Sequence, residues 1–200
     1  MKIEYYYSVA SPYAYLGISK FQEIVNKYSI EVDEKPFDLV GTVFPATGGT
    51  PVPKRHPSRK EYRLLEIDRA GKKLNLNINK QPKFFPPADP HKAALFAIAT
   101  IQNGLNLDFG KAVLTKLWSE EQDISLDSTL EEICKNLNLD FSGIKKASEK
   151  DDIKQAYLLN SEEAIKKGVF GAPSFILENE LFWGQDRLDF LEDKIKHLQK

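Results

Sequence analysis

Apolar positions along this 200-residue chain follow two rhythms. Ile3-Glu4-Tyr5-Tyr6-Tyr7 is rich in aromatic and β-branched side chains, as a buried strand should be. Tyr15, Leu16, Ile18, Phe21, Ile24, Val25 and Tyr28 then recur at steps of three and four, the period of a helix. Ser11-Pro12 stands between them and suits a helix start, because the hydroxyl can cap orphan amides and proline fits the first turn. A second strand is predicted between Ile30 and Leu39, and helices over 60–74, 91–103, 107–119, 129–137, 142–149 and 151–167. Two short strands, 174–177 and 181–183, flank a polar turn, and Asp186 is expected to open a final helix.

Two breaks in these rhythms locate a candidate site. Gly41 to Arg59 is irregular, with Gly48, Gly49 and four prolines at 45, 51, 53 and 57. Loops beyond about 15 residues in a compact domain are usually functional or mobile, so this one is expected to lie over an active-site mouth. Pro173, at the start of a strand, cannot be an ordinary ladder residue, and Gly171-Ala172-Pro173 suits a sharp turn with a cis bond. Strand, helix and strand early, with hairpin and helix late, outline an α/β thioredoxin-like fold. Residues 1–40 and 160–200 would form its two halves, and 41–159 an active-site loop plus an all-helical insertion. In such a fold the loop before the first helix faces the loop before the proline, here Ser11 and Ala172-Pro173.

Composition narrows the function. With 42% hydrophobic and 28% charged residues the chain has ordinary globular composition. A net charge of -1 gives no reason to expect nucleic acid or an anionic membrane as partner. No run of about 18 apolar residues occurs and the chain opens on a strand, so neither a membrane span nor a signal peptide is expected and the cytoplasm is the expected location. Cys134 is the single cysteine, which rules out an intramolecular disulfide. It shares a helical face with Leu130, Ile133 and Leu137 and reads as a small core residue. His56, His91 and His197 are dispersed, so no metal site is expected and Ser11 has no histidine to activate it as a nucleophile. Thioredoxin-like proteins usually place Cys-x-x-Cys where this chain has Ser11-Pro12-Tyr13-Ala14, and without thiols a disulfide-exchange cycle cannot run.

Three motifs together resemble one family. Ser11-Pro12-Tyr13-Ala14-Tyr15-Leu16 resembles its opening motif, Gly168-Val169-Phe170-Gly171-Ala172-Pro173-Ser174-Phe175 its cis-proline segment, and Phe182-Trp183-Gly184-Gln185-Asp186-Arg187-Leu188 its closing motif. Tyr62, Glu66 and Arg69 keep the spacing of a helix between them, with glutamate in place of aspartate. The family is that of 2-hydroxychromene-2-carboxylate isomerases and kappa-class glutathione transferases, a DsbA-like branch of the thioredoxin superfamily. The resemblance implies glutathione as cofactor. Ser11 would hold its sulfur, the backbone of Ala172 beside Pro173 its cysteinyl part, Asp186 with neighbouring Gln185 its γ-glutamyl ammonium, and Arg59 or Lys60 its glycyl carboxylate. Asp186 is expected to serve as helix cap as well as ligand. Thr47-Gly48-Gly49-Thr50 departs from the family, which often has asparagine there. Trp118 and Trp183 read as packing residues, although Trp183 is near enough to Asp186 to line the site. Phe44, Phe84 and Phe85 would supply the pocket of a small aromatic or electrophilic substrate, and Arg55 and Arg187 read as surface charges. The implied activity is glutathione-dependent isomerisation in a homodimer. The alternatives are a kappa-type transferase or peroxidase and a non-catalytic thioredoxin-like binding module.

Overall fold

The computed structural model describes residues 1–199. Strand β1 (Lys2–Tyr7) is sandwiched in a four-stranded sheet of order β2-β1-β3-β4, with β2 at Glu31–Pro36, β3 at Ser174–Leu177 and β4 at Glu180–Trp183. β1 runs parallel to β2 and antiparallel to β3, and β3 and β4 form a hairpin. Parallel neighbours need a crossover, which helix α1 (Pro12–Tyr28) supplies. Ile3, Tyr5, Tyr6, Tyr7 and all of β3 are buried, which is why these strands read as continuous apolar runs.

Between β2 and β3 come α2 (Phe44–Thr47), α3 (Pro57–Lys73), α4 (Pro90–Gln102), α5 (Asp108–Trp118), α6 (Asp127–Asn136), α7 (Phe141–Ser148) and α8 (Asp151–Lys166), and α9 (Leu188–Leu198) follows the hairpin. One apolar cluster joins Tyr5 and Tyr7 of β1, Phe21 of α1, Phe96 of α4, Trp118 of α5 and Leu191 of α9. The helices between the strands thus share a core with the sheet. A smaller cluster on the alternate face gathers Tyr6, Phe37, Val43, Val169 and Ala172. Cys134 is fully buried in the main cluster, and burial pushes its thiol up to about 11. It is a core residue, not a reactive thiol.

Much of the stretch expected to be irregular is wound into single turns. The Val43 amide donates to the Asp38 carbonyl at 3.1 Å, α2 follows, and a further turn spans Val52–Lys54. One-turn helices leave no periodic signature. α3 starts at Pro57, earlier than its apolar rhythm indicates, because His56 Nδ1 accepts the Ser58 amide at 3.3 Å and proline fits the first position.

Behind the end of β1 lies a buried carboxyl. Glu34 of β2 accepts the Tyr7 hydroxyl and the Leu107 amide, each at 2.6 Å. Burial pushes it up to about 7, although both hydrogen bonds pull the other way. The unfolded chain releases this proton near 4.5 and the folded chain near 7, so between those values the folded state binds more protons and stability falls as pH rises. Glu34→Gln should remove this decline. Urea midpoints measured at about pH 5 and about pH 8 should show wild type losing up to about 3 kcal/mol relative to the variant. Parallel profiles would mean that Glu34 ionises as readily folded as unfolded.

Candidate active site

Ser174 of β3 pairs with Tyr6 of β1, so the segment leaving β1 and the segment reaching β3 meet at one end of the sheet. Ser11 stands there as the N-cap of α1, in extended backbone at φ -82° and ψ 122°. Its Oγ accepts the Ala14 amide at 3.2 Å and donates to the Ala172 carbonyl, also at 3.2 Å. A hydroxyl has one proton and two lone pairs, so Ser11 can turn its proton to another acceptor without giving up the helix cap. The Ala172–Pro173 bond is cis, and the Pro173 carbonyl accepts the Gly184 amide at 2.9 Å. The Ala172 N–H meets no acceptor among the described residues. An open amide on such a segment can take up an extended peptide as an added strand.

The electrostatics favour an anion. α1 has no acidic residue in its first turn, and its end amides and macrodipole are directed towards Ser11 and the segment it bonds at Ala172. A sulfur brought there by a bound thiol would be favoured as thiolate.

Gln185 and Asp186 lie in a single turn, Gln185–Arg187, seated on α1. Gly17 makes this possible: a Cβ on it would come within 2.9 Å of the Gln185 Cβ. Asp186 does not cap α9, contrary to expectation. The turn intervenes, α9 begins at Leu188, and no side chain caps either segment. The Asp186 carboxylate is exposed, with the Arg187 guanidinium at 3.4 Å. Trp183 is half exposed, lies over Gly171 and meets Phe170 edge-on at 4.6 Å, beside the cis-proline segment.

Arg59 and Lys60 occupy the first turn of α3, and neither makes an ion pair with a described residue. The same helix holds a residue that the sequence reading passed over. Arg63 is only 7% exposed, with its guanidinium 5.1 Å from the Phe85 ring centre and 5.7 Å from that of Trp118. It forms neither hydrogen bond nor ion pair with any described residue. Arg55 and Tyr13 are its electrostatic neighbours, and burial lowers the pKa of both arginines. Arg55, expected as a surface charge, is half-buried and donates from Nε to the Thr50 carbonyl at 2.7 Å. The signal for Arg63 was present, since Arg63, Ile67 and Gly71 form the buried face of α3 at four-residue steps. Phe85 lies in this arginine cluster, whereas Phe44 is buried against Gly49. Thr47 donates to the Val43 carbonyl at 2.7 Å, so its hydroxyl is already engaged.

Residues 2–196 match the family model described as the DSBA-like thioredoxin domain. The chain belongs to that family. It is 24% identical to the 2-hydroxychromene-2-carboxylate isomerase of Sphingobium xenophagum over 190 residues, covering 95% of each chain. It is 22% identical to glutathione S-transferase kappa 1 of Caenorhabditis elegans, covering 99% of this chain and 92% of that one. A solved structure of 2-hydroxychromene-2-carboxylate isomerase superposes with a TM-score of 0.81 at 22% identity, over 99% and 96% of the two chains. In this DsbA-like chain no helix is long and apolar enough to cross a membrane among the described residues.

Ser11→Ala should lower stability by about 1 kcal/mol through the lost cap alone, read from chemical denaturation. Gly171→Ala should perturb more, because a Cβ there collides with the Trp183 indole. A shift in tryptophan fluorescence together with a loss of roughly 1–3 kcal/mol is the expected result, and an unchanged spectrum would mean that Trp183 does not lie over the cis-proline segment.

Proposed function

We propose that this protein is a glutathione-dependent isomerase of the 2-hydroxychromene-2-carboxylate type, acting on small aromatic or electrophilic substrates. The observation that carries the reading is the pairing of a capped helix N-terminus at Ser11 with the open amide of Ala172. The first favours an anionic sulfur, and the second can hold the peptide that bears it. When bound, glutathione would supply a thiolate that adds reversibly to an activated double bond, allowing rotation about the resulting single bond before elimination, a form of nucleophilic catalysis.

The chain's own groups would do the rest. Ser11 would turn its proton from the Ala172 carbonyl to the sulfur, and α1 would hold the charge. Free thiols titrate near 8.5, and each unit of lowering corresponds to about 1.4 kcal/mol. Ala172 and Pro173 would align the cysteinyl part along the end of β3. Asp186, exposed and free of a capping duty, would meet the γ-glutamyl ammonium beside Gln185, and Arg59 or Lys60 the glycyl carboxylate. The kinship with a kappa-class transferase supports a second reading on the same residues, in which thiolate attack leaves a conjugate.

Product analysis separates the two. With 2-hydroxychromene-2-carboxylate and glutathione, the isomerase reading predicts a changed substrate spectrum at constant glutathione concentration, and no turnover without glutathione. Ser11→Ala should slow turnover by roughly 10- to 100-fold, the scale of one lost electrostatic donor. Asp186→Asn should weaken glutathione binding by about tenfold, equivalent to ~1.4 kcal/mol. Stoichiometric loss of glutathione would favour the transferase, and failure of wild type to bind glutathione would leave a binding module.

A further inference from the structure

Arg63 poses a physical problem. A guanidinium drawn partly out of water loses hydration that a carboxylate or hydrogen-bond acceptor would normally replace. Arg63 as a residue is more than nine-tenths buried, its guanidinium has no acceptor among the described residues, and its nitrogens keep a narrow opening to solvent. Its neighbours make matters worse: Arg55 stands beside it, and Arg59 beside Arg55. The nearby carboxylate of Glu66, which faces Tyr13, is held by Arg69 at 2.7 Å. The Tyr13 hydroxyl also lacks a partner among the described residues, and the Trp118 Nε1–H is a buried donor without an acceptor. Several donors and no carboxylate free of another partner thus gather in one cluster that includes Tyr13, two residues from Ser11.

The walls of this cluster are flat and apolar. Phe85 and Trp118 pack at 4.9 Å, and both lie against the guanidinium. Aromatic surface joined to a fork of cationic donors is the chemistry that recognises a planar ring bearing a carboxylate.

We infer that Arg63, assisted by Arg55 and Tyr13, forms an anion subsite for the carboxylate of an aromatic second substrate, made of residues other than those assigned to glutathione. The inference deepens the proposed function by assigning substrate selection chiefly to Arg63 and Arg55, and it rests on that reading for the identity of the co-bound thiol. The unpaired cation is kept because a ligand supplies its partner. A carboxylate in this position would leave the substrate ring against Phe85.

Calorimetry with 2-naphthoate and its neutral amide, 2-naphthamide, tests this on the intact protein without turnover. Wild type should bind the acid at least tenfold more tightly than the amide. Arg63→Gln should abolish that preference, Arg63→Lys should keep part of it, and glutathione affinity should change by less than about twofold in both variants. Arg63 makes no hydrogen bond or ion pair with a described residue, so thermal stability should change little and a folded variant is expected. Three results would overturn the inference: no preference for the acid in wild type, a preference that survives Arg63→Gln, or loss of glutathione affinity in Arg63→Gln together with competition between naphthoate and glutathione. The last would assign the subsite to the glycyl carboxylate. A preference for the acid in a protein that does not bind glutathione would uphold the subsite while removing the thiol from the proposed function.

Discussion

The position of β1 constrains everything else in this molecule. It pairs in parallel with β2 on one side and antiparallel with β3 on the other, so the segment leaving it and the segment reaching β3 emerge at the same end of the sheet. Ser11 and Ala172, 161 positions apart in sequence, are thereby brought into hydrogen-bonding distance. The aromatic side chains that anchor β1 serve both faces. Tyr5 stacks on Phe175 at 5.2 Å on one side, and Tyr6 meets Phe37 edge-on at 6.1 Å on the other. A strand held from both faces lets a single hydroxyl bridge α1 and the cis-proline segment without relying on a mobile loop.

Charge is distributed locally although the whole chain is close to neutral, at -1. Most cations away from the site are matched: Lys116 sits between Glu120 and Glu132 at 2.7 Å each, and Lys92 and Lys145 share Asp127. Near the end of α1 the pattern reverses. Arg55, Arg59 and Arg63 gather without a carboxylate of their own, and α1 adds no acid in its first turn. Cations gathered without a carboxylate repel one another and favour an anion, and here they and the N-terminus of α1 belong to one neighbourhood.

What could be read in the sequence was local. The helical rhythm from Tyr15 to Tyr28, the cap at Ser11 and the proline before β3 each depend on a few consecutive residues, and the thioredoxin-like outline follows from their order. What could not be read depends on partners far away in sequence. Glu34 reads as a polar strand residue, but it is buried because Tyr7 and Leu107 converge on it from other elements. Asp186 reads as a helix cap because one intervening turn carries no periodicity. Arg63 reads as another charge on a basic helix, although its spacing to Ile67 and Gly71 marks the inward face. In the site itself, the backbone geometry at Ser11 and Ala172 was legible from motif and topology, whereas the arginine cluster beside it required the packing of α3 against α1.

Under the proposed function, Ser11 and the N-terminus of α1 would stabilise a thiolate. The most direct measurement is an ultraviolet titration of glutathione bound to saturation, following thiolate absorbance against pH in wild type and in Ser11→Ala. The bound thiol should titrate a unit or more below its free value of about 8.5 in wild type and move back toward that value in Ser11→Ala. A bound thiol that titrates at its free value in wild type, or equally in both proteins, would contradict it.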